Sequence, residues 1–344
     1  CLPLHHPAGM LVTVGGSLVG GSRLALGTRF DPEAFWDDVR RYGATVVFYA
    51  GEMLRELLQA QPSASDNQNS IRLFAGSGLR GDVWQRIVER FGPVGILEFY
   101  ASTEGNAVLA NASGEKVGAL GRPLPGSTEV ELVRYDFDAE QFVRDEDGLL
   151  VRCEPGDEGV LLARLDAEHP LTSFTGGAEA GKRLLQGVFE PDDTWFITWD
   201  VLRRDEDGDY WFVDRVSRVL RTPHGRVATR SIENALYGFE PLRHTVVYGV
   251  KEGGFDRPVA VVATHGNRGI DLQAWNDFAA LLDPSERPAW LKRVERIPMT
   301  DGFRPNKSIL ESEPLDFGAE LLTYDEGQKR YRAAGPEETM TRLR

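Results

Sequence analysis

The sequence predicts an α/β protein: a parallel sheet with helices on its faces, continued by a β-rich region and closed by a small α+β domain. Three observations carry this. Between Asp31 and Phe99, β-branched and aromatic runs alternate with amphipathic helical patterns, the sign of parallel strands crossed by helices. From Gly118 the texture changes to short apolar runs separated by turn dipeptides. Beyond Asp214 helices and strands alternate again over a stretch of ordinary domain size.

In chain order, the apolar run Met10 to Leu26 comes first. Its six glycines and serines, with Arg23, make it poor for a membrane span, which wants about 20 uninterrupted apolar residues. It reads as a buried helix running into a strand. Asp31 to Tyr42 has an acidic first turn, Pro32 at the first helical position and apolar Phe35, Trp36 and Val39, an amphipathic helix. Ala44–Ala50 is a buried strand, Gly51–Gln61 helical, Ile71–Ala75 a strand, Asp82–Phe91 a helix and Val94–Phe99 a strand. Val130–Tyr135, Leu149–Cys153, Gly159–Leu165 and Trp195–Thr198 are short strands, followed by a hairpin Val201–Val213 around Asp207-Gly208. The last region reads as helix Arg230–Leu236, strands Thr245–Val250 and Val259–Thr264, and helix Leu272–Leu282. The domain boundary is expected at 214/215, giving domains 1–214 and 215–344.

Composition narrows the function. The 344 residues include 41% hydrophobic and 27% charged positions and 37 glycines, which suits a globular α/β chain. A net charge of −14 argues against nucleic acid as a partner, because phosphate-backbone binding needs a cationic surface. Two cysteines, Cys1 and Cys153, imply no disulfide framework and point to a reducing, cytoplasmic compartment. The opening has no basic n-region and reads as a chain whose beginning lies upstream of Cys1.

Three stretches could carry chemistry. Glu98-Phe99-Tyr100-Ala101-Ser102-Thr103-Glu104-Gly105-Asn106 opens from an apolar run into an aromatic, two hydroxyls, a carboxylate and a glycine. That is how a strand's carboxyl end looks at a ligand crevice. Tyr100 offers a flat face for a planar ring and Glu104 a hard oxygen for Mg²⁺; an ordinary strand and capped turn is the plain alternative. Gly76-Ser77-Gly78-Leu79-Arg80-Gly81 fits GxGxxG between a strand and a helix, with Glu98 twenty residues after Gly78. This is the dinucleotide fingerprint with its ribose-binding acid, hence a dehydrogenase reading; the alternative is a glycine turn with Asp82 capping the helix. Arg215, Arg218, Arg221, Arg226 and Arg230 have no acidic residue among them. They suit a phosphate-bearing ligand, or else pair with the acidic run Asp205-Glu206-Asp207. His5-His6 has no third metal ligand at useful spacing.

Taken together, the chain resembles the acyl-adenylate-forming (AMP-binding) superfamily, most closely its very-long-chain acyl-CoA synthetase/fatty-acid transport protein branch. Pro3–Gly9 (PLHHPAG) is similar to that branch's PLYHxAG, and Gly76–Arg80 stands in the place of GNGLR. FYASTEGN resembles FYGxTEGN, Gly118–Gly126 matches the connection that follows, and Thr198-Trp199-Asp200 stands where TGD belongs. LRRDEDGDYWFVDR ends in Asp214-Arg215, and Thr300–Lys307 (TDGFRPNK) lies where the branch has TGTFKxxK.

The resemblance implies a partial large adenylation domain, a small C-terminal domain that rotates about a hinge at Arg218, and a two-step ligase reaction. A fatty carboxylate attacks ATP to give acyl-AMP and pyrophosphate, with Mg²⁺, and then the CoA thiol displaces AMP. It also implies residue roles. Gly76, Ser77, Gly78 and Leu79 would line the adenine and acyl pocket, and Tyr100 with Ala101 and Ser102 would contact adenine. Thr103 would touch phosphate and Glu104 would hold Mg²⁺. Asp200 would accept the ribose hydroxyls, and Arg215 would reach ribose and phosphate oxygens. Arg304 stands at the place of the adenylation lysine, with Lys307 three residues on. Peripheral association at the inner face of a membrane is implied by the family alone. Four departures stand out: the family's Ser/Thr/Gly-rich phosphate loop would precede Cys1, Trp199 replaces a glycine and puts an indole beside Asp200, Arg304 replaces lysine, and Arg218 replaces aspartate. Trp199 and Arg304 keep open a second possibility, a catalytically impaired paralogue that binds nucleotide or acyl chain.

Overall fold

The computed structural model describes residues 2–101, 107–171, 183–313 and 320–335. They divide into two units: Cys1–Phe212 with Asp301–Arg304, and Val213–Thr300 with Pro305–Arg344.

The first unit begins with a π-helical turn, Ala8–Gly15, that runs into the short helix α1 (Gly16–Val19). Neither the buried helix nor the strand expected over residues 10–26 forms, and Leu11, Leu18, Val19 and Leu26 are exposed. Gly15, Gly16, Gly20 and Gly21 raise the entropic cost of regular structure there. The predicted alternation follows: α2 (Phe35–Tyr42), β1 (Val46–Ala50), α3 (Met53–Leu57), β2 (Leu73–Ser77), α4 (Gly81–Phe91) and β3 (Gly95–Ala101). β1, β2 and β3 are parallel neighbours, and β4 (Val108–Asn111) and β5 (Arg122–Pro123) extend the sheet antiparallel. α4 buries Val83, Trp84, Ile87 and Phe91 along one face, at about 1.5–3 kcal/mol for each large side chain removed from water. β1 is buried only toward its carboxyl end, at Tyr49 and Ala50. Asp82 does not cap α4; its carboxylate takes Arg55, whose guanidinium also holds Glu52 at 2.6 Å.

The β-rich region forms a second sheet in the order β10 (Leu184–Gln186), β11 (Thr194–Arg204), β9 (Glu158–Leu165), β6 (Val130–Val133), with β12 (Tyr210–Arg215) pairing β11. Two sequence-based expectations change here. Leu149–Cys153 makes isolated bridges rather than a strand, and the two strands expected either side of 199 are one bulged strand, β11. A small hairpin, β7 (Tyr135–Asp136) with β8 (Gln141–Phe142), also forms. The acidic turn 205–209 gathers on one lysine: Lys116 Nζ lies 2.7–2.9 Å from carboxylates of Asp205, Asp207 and Asp209.

In the second unit, β13 (Val219–Thr222) and β14 (Gly225–Ala228) form a hairpin, followed by α5 (Thr229–Leu236). A five-stranded sheet runs β15 (Leu242–Glu252), β16 (Phe255–Thr264), β17 (Trp290–Arg293), β18 (Leu321–Asp325), β19 (Arg330–Ala333). Helices α6 (Leu272–Ala279) and α7 (Lys307–Ser312) complete it. Both helices are capped by side chains, Asp271 accepting from the N–H of Ala274 and Asn306 from that of Ile309.

Candidate functional site

The carboxyl ends of β1, β2 and β3 meet in the first unit, as open parallel sheets arrange for ligand crevices. Register sets Tyr49, Gly76 and Glu98 in one row across the three strands. Gly76 has to be glycine: a Cβ there would lie 2.2 Å from the Tyr49 carbonyl oxygen and 2.7 Å from its ring. With that position empty, the Tyr49 side chain crosses over Gly76, and its hydroxyl donates to Glu98 Oε2. Burial first, then the charge and hydrogen bond of Glu98, hold the Tyr49 phenol well above its ordinary 10, so it stays a donor. The other Glu98 oxygen accepts the N–H groups of Gly78 at 2.6 Å and Leu79 at 3.2 Å. Gly78 takes φ 95°, a left-handed conformation suited to glycine. The Gly51 N–H donates to the Ser77 carbonyl at 2.9 Å.

These bonds overturn the dinucleotide reading. A ribose-binding acid must face the ligand, whereas Glu98 is 1% exposed and turned onto the loop's own N–H groups. The loop is therefore not a phosphate cradle. It presents the Ser77 side chain and peptide planes, a surface suited to a flat ring.

Tyr100, on β3, donates its hydroxyl to Asp200 Oδ2 at 2.6 Å across a hundred residues of sequence. Asp200 lies where the pairing of β11 with β9 shifts register between Ile197 and Val201. Its N–H donates to Thr198 Oγ1, which in turn donates to the Leu161 carbonyl. Trp199 takes φ 62° at this bulge. Its indole stacks on Phe142 at 5.8 Å and meets Tyr135 edge-on at 6.2 Å, so it packs on the β7–β8 hairpin. The expectation that the indole crowds Asp200 gives way to this packing.

Residues 301–304 pack with the first unit. Phe303 sets its ring against Phe30 at 5.5 Å, and its carbonyl accepts the Glu52 N–H at 2.9 Å. Arg304 Nη2 then donates to Ser77 Oγ at 3.2 Å. Burial, then the neighbouring charges of Arg304 and His5, lower the His6 imidazole from its ordinary value. His5 faces Asp301 at 3.2 Å.

The first unit thus gathers Gly76, Ser77, Gly78, Leu79, Tyr100, Asp200 and Arg304. Ala101 is exposed at the end of β3, and Ser102, Thr103 and Glu104 lie outside the described residues. Lys307 belongs to the second unit, where its ammonium donates to Glu233, Thr229 and the Val247 carbonyl at 2.9–3.1 Å. Arg215 is exposed there, with its N–H on Asp214, and Arg218 pairs with Glu311. Sequence reasoning missed Tyr49, and cast Glu98 only as a ribose acid. A glycine flanked on adjacent strands by an aromatic and an acid is a signal, but only once strand register is known.

The family model for AMP-binding enzymes matches residues 1–162. The chain is 31% identical to long-chain fatty acid transport protein 2 of Rattus norvegicus, over 96% of this chain and 55% of that protein. It is 33% identical to long-chain fatty acid transport protein 3 of Homo sapiens, over 92% of this chain and 47% of that one. The chain spans about half the length of the curated relatives it matches. Among solved structures, ATP-bound MatB from Rhodopseudomonas palustris superposes with a TM-score of 0.73 at 21% identity, over 90% of this chain and 58% of that chain. O-succinylbenzoate CoA synthetase from Bacillus subtilis with AMP gives 0.68 at 20% identity, over 91% and 60%. At these identities the structures show the fold, which is that of adenylate-forming enzymes.

Proposed function

We propose that this chain, which matches the AMP-binding enzyme family model over residues 1–162 and is similar to the long-chain fatty acid transport proteins, comes from an AMP-forming ligase of long- or very-long-chain fatty acids and CoA. The observation that carries this reading is the pairing of Tyr100 with Asp200 beside the Gly76–Leu79 loop. An aromatic face, a peptide platform and an acceptor-only carboxylate are what an adenosine moiety needs from a protein.

In this reading residues 1–214 are the carboxyl-terminal part of the adenylation domain, and 215–344 the small domain that turns at Arg218. Adenine lies along the loop and Tyr100, with Ala101 and Ser102 beside it, and Asp200 accepts the ribose hydroxyls. The fatty carboxylate attacks the α-phosphate, and pyrophosphate leaves. Such chemistry asks for position and positive charge. Arg304, already at Ser77, supplies charge beside the loop, with Thr103 on a phosphate oxygen; Arg215 and Lys307 are the further cations that the family resemblance assigns to this chemistry. Glu104 would hold Mg²⁺, which would supply neutralisation of phosphate charge. The CoA thiol then displaces AMP. On the family resemblance alone, the setting we propose is cytoplasmic, with peripheral contact at a membrane.

The test is fatty-acid-dependent exchange between ATP and pyrophosphate in the whole protein, and no exchange would sink the reading. Asp200→Ala should weaken nucleotide binding by about 10- to 100-fold, the worth of one or two hydrogen bonds to a charged acceptor. An unchanged affinity refutes its role. The second reading, an impaired paralogue, is favoured by the guanidinium at position 304, since its planar fork is a poor copy of a compact ammonium. It predicts no exchange until Arg304→Lys is introduced, and exchange by the unaltered protein excludes it.

A further inference from the structure

We propose that Glu98 is a positioning residue that fixes the Gly76–Leu79 loop in the shape that selects the nucleobase; this rests on the ligase reading above. The argument starts from what holds the loop. Its N–H groups at Gly78 and Leu79 both end on one buried carboxylate oxygen, and its Ser77 carbonyl ends on the Gly51 N–H. The loop departs from β2 through a left-handed Gly78, where regular strand pairing cannot continue. Its peptide planes are therefore oriented from beneath, by a side chain of β3.

Glu98 is itself located by Tyr49, which reaches it only because Gly76 between them has no side chain. The result is a three-strand brace, with a phenol from β1, a gap in β2 and a carboxylate from β3. The chemistry is matched: an ionised carboxylate is acceptor-only, and each partner named here is a donor. Charge-assisted bonds of this kind are short and directional, so a small change in carboxylate position tilts the loop. A ring lying on that loop meets its peptide edges, and discrimination between two purines depends on where those edges point. Glu98 contacts no part of the nucleotide in this scheme, and acts through the loop.

The test compares AMP and GMP binding to the whole protein by titration calorimetry. Glu98→Asp keeps the charge but shortens the side chain by one methylene, so the carboxylate no longer meets both N–H groups. It should cut the AMP-over-GMP preference by about 10- to 100-fold, since a misplacement near 1 Å in a preorganised site can cost up to about a hundredfold. Glu98→Gln keeps one acceptor oxygen at full reach for both N–H groups, with its amide NH₂ turned to the Tyr49 hydroxyl, which can also accept, and should retain most of the preference. Gly78→Ala forces the loop out of its left-handed conformation without touching Glu98, and should reduce the preference in the same direction. This second variant keeps the test open if Glu98→Asp fails to fold. A merely structural role would weaken both nucleotides equally; an unchanged AMP:GMP ratio in Glu98→Asp or Gly78→Ala overturns the proposal. An unaltered protein that binds neither nucleotide overturns the ligase reading as well, whereas one that prefers AMP leaves that reading standing whatever the variants do.

Discussion

Trp199 is held in a left-handed conformation that costs a side-chain-bearing residue about 1–2 kcal/mol. What offsets that cost is the aromatic contact with Phe142 and Tyr135, at about 0.5–1.5 kcal/mol each. Restoring glycine removes the strain but also both ring contacts, and glycine loses about 0.5–1 kcal/mol more backbone entropy on folding. The losses outweigh the gain. Trp199→Gly should therefore destabilise the protein by about 1 kcal/mol in urea unfolding, while leaving the Tyr100–Asp200 pair in place. In a Tyr135→Ala/Phe142→Ala background the sign should reverse, because relief of about 1–2 kcal/mol of strain then exceeds the roughly 0.5–1 kcal/mol entropy cost of glycine. A stabilising Trp199→Gly in the unaltered background would show that the hairpin does not hold the indole. This residue also marks a limit of sequence reading. The motif places a bulky ring next to Asp200 along the chain, but the bulge that directs that ring to the hairpin depends on how β11 pairs with β9.

At the scale of elements, the alternation from α2 to β3 was legible because each strand and helix carries its own period, and the structure shifts most of those ends by only one or two residues. The helix expected over 51–61 shrinks to Met53–Leu57. Hairpin β7–β8 escaped notice because strands of two residues have no period to read. Long-range ties escaped as well, and α5 is the clearest example. Asp214 accepts from Thr229 Oγ1 and the Arg230 N–H at its start, and Glu233 accepts from Lys307 and the Val247 N–H further along. Lys307, read from its motif as a catalytic cation, is thus a partner of a buried carboxylate in this structure. Removing one member of such a pair costs about 3–5 kcal/mol, because the other is left buried and charged. Lys307→Met should lower unfolding free energy by that amount, and Glu233→Leu in the same chain should recover much of it. A Lys307→Met protein of normal stability that has lost fatty-acid-dependent exchange would instead assign the lysine to chemistry.

For the whole molecule, the question is whether the second unit can behave as a body of its own, as rotation about Arg218 would require. Its sheet is covered on both faces by residues of the same unit. Along β15 and β16 successive side chains alternate: Val247, Ala260 and Val262 join Trp275 and Leu291 on one face. Val246, Tyr248, Val259 and Val261 join Trp290, Ile297 and Leu310 on the other. A sheet buried on both sides by its own helices and loops needs no outside surface to exclude water. At about 0.05–0.15 kcal/mol per residue, a unit of this length reaches the stability of an independent domain. The segment 213–344 expressed alone should therefore unfold in urea in one cooperative step, followed by the emission of Trp275 and Trp290. Both indoles are buried, so native emission should be blue-shifted and move red through a single sigmoid. Residues 301–304, which pack with the first unit, lie in a connection and contribute nothing to either face of this sheet. Their release should leave the transition intact. Red-shifted emission in the absence of urea, or a gradual drift without a midpoint, would show that this core depends on residues 1–212, and a hinge at Arg218 would then have no rigid body to turn.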